Sequence, residues 1–245
     1  MRKGATVLGI CNVVGSTIAR ETERGVYLHA GPEIGVASTK AFTAQVAVLA
    51  MLAIVFGRAR RLSGSAGRDL VRELLRAPEV ASTALEQEPA IKVIAEKYAR
   101  AEHMFYLGRG YMYPVALEGA LKLKEISYIH AEGYHAAELK HGPIALLDKH
   151  VPVVVAVPDL HGKSKTISNM QECRARSSPV IAIATAGDDE VNRYCNDVIR
   201  VPRCLDFLAP IPVVIVEQLL AYHIAKCRGC PIDQPRNLAK SVTVE

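Results

Sequence analysis

The chain has 245 residues, half of them hydrophobic and 22% charged, with a formal net charge of +5. These values are ordinary for a soluble globular protein that forms one large domain or two small ones. The six cysteines form no dense framework and no signal peptide is visible, so we expect reduced cytosolic thiols. The close pair Cys227 and Cys230 lacks the second half of a zinc site and follows a predicted helix, which disfavours a metal or redox role.

The first quarter of the chain predicts short strands at residues 6–13 and 25–29 and helices at 16–23 and 40–56. The apolar run 41–56 is too short to span a bilayer and predicts a buried helix. Two parallel strands cannot close a core by themselves. We therefore expect further sequence of this unit upstream of Met1.

The segment GVAST at residues 35–39 directly precedes the helix predicted at 40–56. Its backbone amides and hydroxyls could hold a sugar oxygen or a phosphate. An ordinary N-cap by Ser38 or Thr39 is the simpler interpretation, and the pattern alone favours it.

Residues 57–100 are charged and predicted to be helical, with breaks at Gly64, Gly67, Pro78 and Pro89, and they form a candidate connection between domains. A nucleic-acid patch could be built from the arginines there, but the run contains no aromatic residue interleaved with them, so a solvated helix face or linker is favoured. These arginines are Arg58, Arg60, Arg61, Arg68, Arg72 and Arg76.

A second unit follows, in which strands alternate with helices and the strands are Val-rich. This alternation favours a parallel sheet covered by helices on both faces. The strands are predicted at 104–107, 151–157, 180–184 and 198–201, and the helices at 114–129, 163–176 and 213–227.

The predicted helix 114–129 is apolar almost all round but contains Glu118, Lys122 and Glu125. At about 100° per residue these three side chains lie within roughly 60° of arc, whereas Lys124 points elsewhere. They could be surface ion pairs. Alternatively, they form a charged stripe that faces a cavity and is tuned for proton transfer.

The segment that follows contains two Glu-x-x-His spacings, Glu132 with His135 and Glu138 with His141. Carboxylate-bridged metal sites use this spacing, but they need further carboxylates from other helices, so metal binding is disfavoured. His141 stands just before Gly-Pro, where it could project into a cleft or be merely structural. The polar tail 233–245 carries Lys240, and spacing alone does not make this lysine catalytic.

Residues 33–42, 116–132, 138–143 and 233–245 carry four motifs in a familiar order. Together they closely resemble the sugar-isomerising half of the glutamine–fructose-6-phosphate aminotransferase family. The resemblance runs the whole length of the chain. It implies an α/β fold of two sugar-isomerase (SIS) type three-layer α/β/α units with parallel sheets, the first of them incomplete.

The resemblance divides the chain into four parts. Residues 1–64 would be the C-terminal remnant of a first SIS domain, and 65–100 a helical connection. Residues 101–232 would form a second SIS domain, and 233–245 an active-site tail.

The family implies that fructose 6-phosphate and glutamine-derived ammonia give glucosamine 6-phosphate, with no metal or organic cofactor. It implies a sugar phosphate substrate, a cytoplasmic homodimer and an upstream glutaminase domain, with no nucleic-acid or membrane partner. The family's Ser-Gln-Ser-Gly-Glu-Thr phosphate loop is expected upstream of Met1 and is not in this sequence. A non-catalytic sugar-phosphate-binding SIS fragment, or an isomerase without amination, therefore stays an alternative.

By motif position, Glu125 resembles the base that moves a proton between C1 and C2, and Lys122 the residue that assists it at the sugar hydroxyl. His141 resembles a ring-opening acid and base supplied by the partner subunit. Lys240 resembles the amine that forms a Schiff base with the open-chain sugar. The remaining implied site residues are the substrate contacts Val36, Ser38 and Ala239, and Glu118, which would orient Lys122.

Overall fold

A computed structural model describes residues 4–22 and 24–240 of the chain. Its first part comprises β1 (Gly9–Cys11), α1 (Thr17–Thr22), β2 (Gly25–Tyr27), α2 (Lys40–Arg58), α3 (Gly64–Leu74), α4 (Ala77–Leu85) and α5 (Glu88–Tyr98). Its second part comprises β3 (His103–Gly108), α6 (Met112–Ser127), β4 (His130–His135), β5 (Val153–Ala156), α7 (Lys163–Arg174), β6 (Val180–Thr185), β7 (Asp197–Val201) and α8 (Pro210–Cys227). Short 3-10 helices span Ala136–His141, Pro143–Leu146 and Glu190–Arg193. Glu23, at the end of the first predicted helix, and residues 241–245 of the predicted tail lie outside the described residues.

The second part is built on a parallel sheet with the strand order β4-β3-β5-β6-β7. Alternate strand residues face opposite sides, so Tyr106 and Val154 pack in the core beneath α5, α6 and α8. Phe105 and Val153 pack in a second core beneath α7 and the first 3-10 helices. The α/β fold with a three-layer α/β/α unit is therefore confirmed.

The first part pairs β1 with β2 in parallel, and within the described ranges these two strands form a sheet of their own. Only Ala41 and Val48 of α2 are buried, so the prediction of a buried helix is wrong for this chain. Two strands of three residues each cannot cover a helix of 19 residues. The prediction that this segment is too short for a bilayer is also wrong, since α2 meets the length and composition of a membrane span, as many core helices do.

Three other elements differ from the sequence predictions. Strand β4 was not predicted, because it lies at the sheet edge and its polar sequence lacks a buried apolar run. Helix α6 ends at Ser127 rather than Ile129, because Tyr128 adopts a left-handed conformation with φ 63°. Gly67 lies inside α3 and does not break it.

Helices α6 and α8 pack closely around a buried carboxyl group. Glu217 of α8 is 0% exposed, and neither of its carboxyl oxygens has a hydrogen-bond partner among the described residues. A Cβ atom added at Gly119 of α6 would lie 2.5 Å from Glu217 Oε2, so only glycine permits this approach. Burial, and next the negative charge of Glu118, raise the pKa of Glu217 well above its ordinary value of 4.5.

We predict that Glu217→Leu raises the free energy of unfolding by about 1–3 kcal/mol at pH 8, because an unsatisfied buried polar group is removed. A carboxyl whose pKa is higher in the folded chain binds more protons when folded, so its contribution to stability falls as pH rises above 4.5. Urea unfolding from pH 4.5 to pH 8 measures this.

The matched control is Glu217→Gln, which keeps the shape and the polar group but cannot ionise. The stability difference between Glu217→Gln and the natural chain should grow in favour of glutamine as pH rises. A difference that does not change with pH would contradict a buried carboxyl with a raised pKa.

Candidate active site

The charged stripe predicted on α6 is largely buried. Lys122 is only 4% exposed, and its Nζ lies 2.7 Å from Glu125 Oε2 and 3.4 Å from Glu118 Oε1. Lys124 is exposed, as its angular position predicts. Burial, opposed by the charge of Lys122 and reinforced by that of Glu125, raises the pKa of Glu118. The stripe is therefore not a set of solvated surface ion pairs.

The carboxylate of Glu33, for which the sequence predicted no role, holds the loop before α2. Thr39 is the N-cap residue but makes no side-chain capping bond. Instead, Glu33 Oε1 accepts hydrogen bonds from the backbone amides of Thr39 (2.8 Å) and Ala41 (3.1 Å), and from the hydroxyl of Ser38 (3.4 Å). The predicted N-cap by Ser38 or Thr39 is wrong, because the carboxylate of Glu33 already satisfies these amides.

The tail places Lys240 on this same loop. Lys240 Nζ donates to Gly35 O (2.8 Å), Glu33 Oε2 (3.2 Å) and Val36 O (3.4 Å). Burial alone would raise the pKa of Glu33, but hydrogen bonds from the two backbone amides and from Lys240, and the charge of Lys240, hold it below its ordinary value.

Two further contacts fix the path of the tail. The amide of Val36 donates to Asp233 O at 3.0 Å. The guanidinium of Arg236 lies 4.2 Å from the ring centroid of Tyr128, the C-cap residue that follows α6. The tail thus joins the loop of the first part to the stripe-bearing helix of the second.

A cavity of about 320 Å³ lies between these elements. Its walls include Glu33 and Gly35 of the loop, Lys122 of the stripe, and Gln218 of α8. Gln218 Nε2 is buried without a hydrogen-bond partner in the described part of the chain. Nothing in the sequence singled out Gln218, because a polar residue within an apolar helix is common at the edge of a core.

The structure brings together some predicted site residues but not all of them. Lys122 contacts Glu118 and Glu125, and Lys240 contacts Val36. His141 is exposed at the end of its 3-10 helix, and within residues 4–22 and 24–240 it makes no recorded side-chain bond to the stripe. Ala239 is exposed beside Lys240. The described residues contain no cluster of His, Cys, Asp and Glu side chains arranged to hold a metal ion.

Comparisons with known proteins agree with this architecture. The chain is 58% identical to a glutamine–fructose-6-phosphate aminotransferase (isomerizing) of Chlorobaculum tepidum over 99% of its length, and 56% identical to that of Thermus thermophilus over all of it. It spans about 40% of the length of each relative. The solved C-terminal domain of the Francisella tularensis glucosamine-fructose-6-phosphate aminotransferase superposes with a TM-score of 0.88 at 42% identity. That match covers 93% of this chain and 64% of the solved one.

The family model described as "SIS domain" matches residues 1–55 and 97–226. The gap between these two segments contains α3, α4 and nearly all of α5, and the segments together cover most of the chain. The chain therefore belongs to the SIS domain family, and it is similar to the part of the aminotransferases that carries the SIS fold.

Proposed function

We propose that the chain performs the sugar-isomerising step of a glutamine–fructose-6-phosphate aminotransferase, forming glucosamine 6-phosphate from fructose 6-phosphate and ammonia. The observation that carries the proposal is the buried Lys122 between Glu118 and Glu125, on the wall of a cavity that is also lined by Glu33, the ion-pair partner of Lys240. An ammonium and carboxylates shielded from water suit proton transfer between adjacent carbon atoms. Ammonia release from glutamine would belong to a glutaminase domain elsewhere in the full-length protein.

In the proposed reaction, the amine of Lys240 adds to carbonyl carbon C2 of the open-chain sugar, and loss of water leaves an imine. Lys240 must first leave its ion pair with Glu33 and release a proton. Ammonia then displaces the lysine at C2. Glu125 takes a proton from C1 to give an enaminol, and return of a proton to C2 leaves an aldehyde at C1 and the amino group at C2.

Other residues take supporting roles in this proposal. Lys122 would hold Glu125 in place and move a proton at the sugar hydroxyl, and Glu118 would orient Lys122. Val36, Ser38 and Ala239 would contact the substrate. Ring opening would fall to His141 of the partner subunit, which fits the exposure of this side chain in the single chain.

We predict that Glu125→Gln slows deuterium incorporation from heavy water into fructose 6-phosphate by about 10²-fold or more, because the amide cannot accept the C1 proton. Mass spectrometry of the recovered sugar measures the exchange. The control Glu96→Gln, an exposed carboxylate on α5, should exchange like the natural chain. No exchange by a demonstrably folded natural chain would show that these residues do not suffice for the step.

We predict that Lys240 is the residue trapped when fructose 6-phosphate and borohydride are added together, because reduction fixes an imine as a stable amine. Peptide mapping should find the sugar on Lys240, and Lys240→Arg should abolish the adduct. Lys40 lines the same cavity, so Lys40→Arg is the matched control and should leave the adduct in place. An adduct on Lys40 instead would reverse the assignment.

We predict that Glu125→Gln and His141→Ala chains are each inactive in isomerase exchange but restore about a quarter of the natural rate when mixed and allowed to exchange subunits. Half of the dimers formed would be mixed, and one of their two sites would contain both natural residues. Mass spectrometry would show whether the subunits have exchanged. If they have and no exchange activity returns, His141 acts in the site of its own subunit.

A further inference from the structure

A second cavity of about 290 Å³ lies outside the carboxyl ends of β3 and β5. From β3 the chain runs outward to β4, and then returns to β5 on the opposite side of β3. Reversal of strand order opens a crevice at this edge of a parallel sheet, where doubly wound folds bind ligands. The cavity touches Met112 at the start of α6, ten residues and about 15 Å along the helix from Lys122. It is therefore separate from the candidate active site.

Arg109 projects from the loop that follows β3 and lines this cavity. Its Nε and Nη2 donate to Asn169 Oδ1 at 3.1 and 2.9 Å, and Asn169 is only 4% exposed. Asn169 is neutral, and no carboxylate among the described residues lies within ion-pair distance of Arg109. Asn169 Nδ2 in turn donates to Glu172 Oε2 at 3.0 Å. The guanidinium is thus fixed in orientation without a direct ion-pair partner, which is the state that recognises a carboxylate or phosphate.

The other walls limit the size and charge of a ligand. Lys163 Nζ is already paired with Asp188 (2.8 Å) and Glu190 (3.1 Å), so Lys163 adds no free positive charge. Thr166 is 3% exposed and its hydroxyl donates to Gly162 O at 3.4 Å, while Asp206 is an exposed carboxylate on the wall. The remaining wall includes the apolar side chains of Met112, Ala156, Val157 and Leu160, together with the rings of Tyr111 and His161. One fixed cation beside an apolar wall suits a compact ligand with a single anionic group rather than a polyphosphate.

We propose that this cavity is a second ligand site, which binds the phosphate group of a small phosphate ester on Arg109. The backbone amides of Met112 and Lys163 at the starts of α6 and α7 already donate to carbonyl oxygens, so the guanidinium is the main donor of the cavity. A phosphate ester carries more negative charge at neutral pH than a carboxylate and offers three acceptor oxygens, so it compensates this fixed charge more fully.

The test is a titration of the isotope-labelled natural chain with inorganic phosphate and with glycerol 3-phosphate at constant ionic strength, followed by amide resonances. We expect saturable shifts at residues 109–112 and 161–166. Arg109→Gln should weaken binding by about tenfold or more, because a charged, two-pronged donor is lost. The matched control is Arg174→Gln, since Arg174 also donates to an asparagine oxygen but lies at the far end of α7 and outside the cavity.

The amide spectrum of each variant also reports whether the variant is folded. If Arg109→Gln does not fold, Arg109→Lys takes its place in the titration. Shifts confined to residues 33–39 would show that phosphate binds at the candidate active site and not in the second cavity. Failure of the second site can therefore be distinguished from failure of the proposed active site. Absence of saturable shifts at 109–112 in the natural chain would overturn the proposal. Equal shifts with acetate would overturn the choice of phosphate.

Discussion

The ammonium of Lys122 is the charge on which the arrangement of α6 depends. A buried charge without partners costs several kcal/mol, so Lys122 requires Glu118 and Glu125 one turn away on either side. The three side chains consequently act as a unit, and the rest of the helix must be apolar to keep water from them. Gly119 lets α8 approach this helix, and Gly133 lets β4 approach it, because a Cβ at either position would lie within 3 Å of its neighbour.

The candidate site is assembled from segments that are far apart in the chain. Lys240 and Glu33 are separated by 207 residues. The tail is bonded to the loop where the Val36 amide donates to Asp233 O, and to the end of α6 where the Arg236 amide donates to the Tyr128 hydroxyl. Lys240 keeps 47% of its side chain exposed, so its ion pair is worth at most about 1 kcal/mol. Such a pair holds the amine beside the cavity and yet releases it at little cost. That is the behaviour a lysine needs if it is to bond covalently to a sugar.

The sequence predicted the features that local periodicity controls. Val-rich runs marked the buried strands β5 and β6, and the spacing of Glu118, Lys122 and Glu125 predicted their shared face correctly. Features that depend on neighbours were missed. The edge strand β4 is half polar, α2 has only two buried residues in the described part of the chain, and the cap of α2 comes from Glu33, six residues before Thr39. In the described part of the chain His141 is exposed and makes no side-chain bond to the stripe, so its role stays a prediction.

The two cavities use different properties of the same fold. The second lies where strand order reverses, a position that any doubly wound parallel sheet provides, and its chemistry comes from one fixed arginine. The candidate active site lies instead where α6 meets the loop and tail of another part of the chain. Sheet topology alone would therefore predict a ligand site at the second cavity. The buried ion pairs of Lys122 favour the first cavity as the candidate active site, because buried charge is costly and titratable groups with shifted pKa values cluster at functional sites.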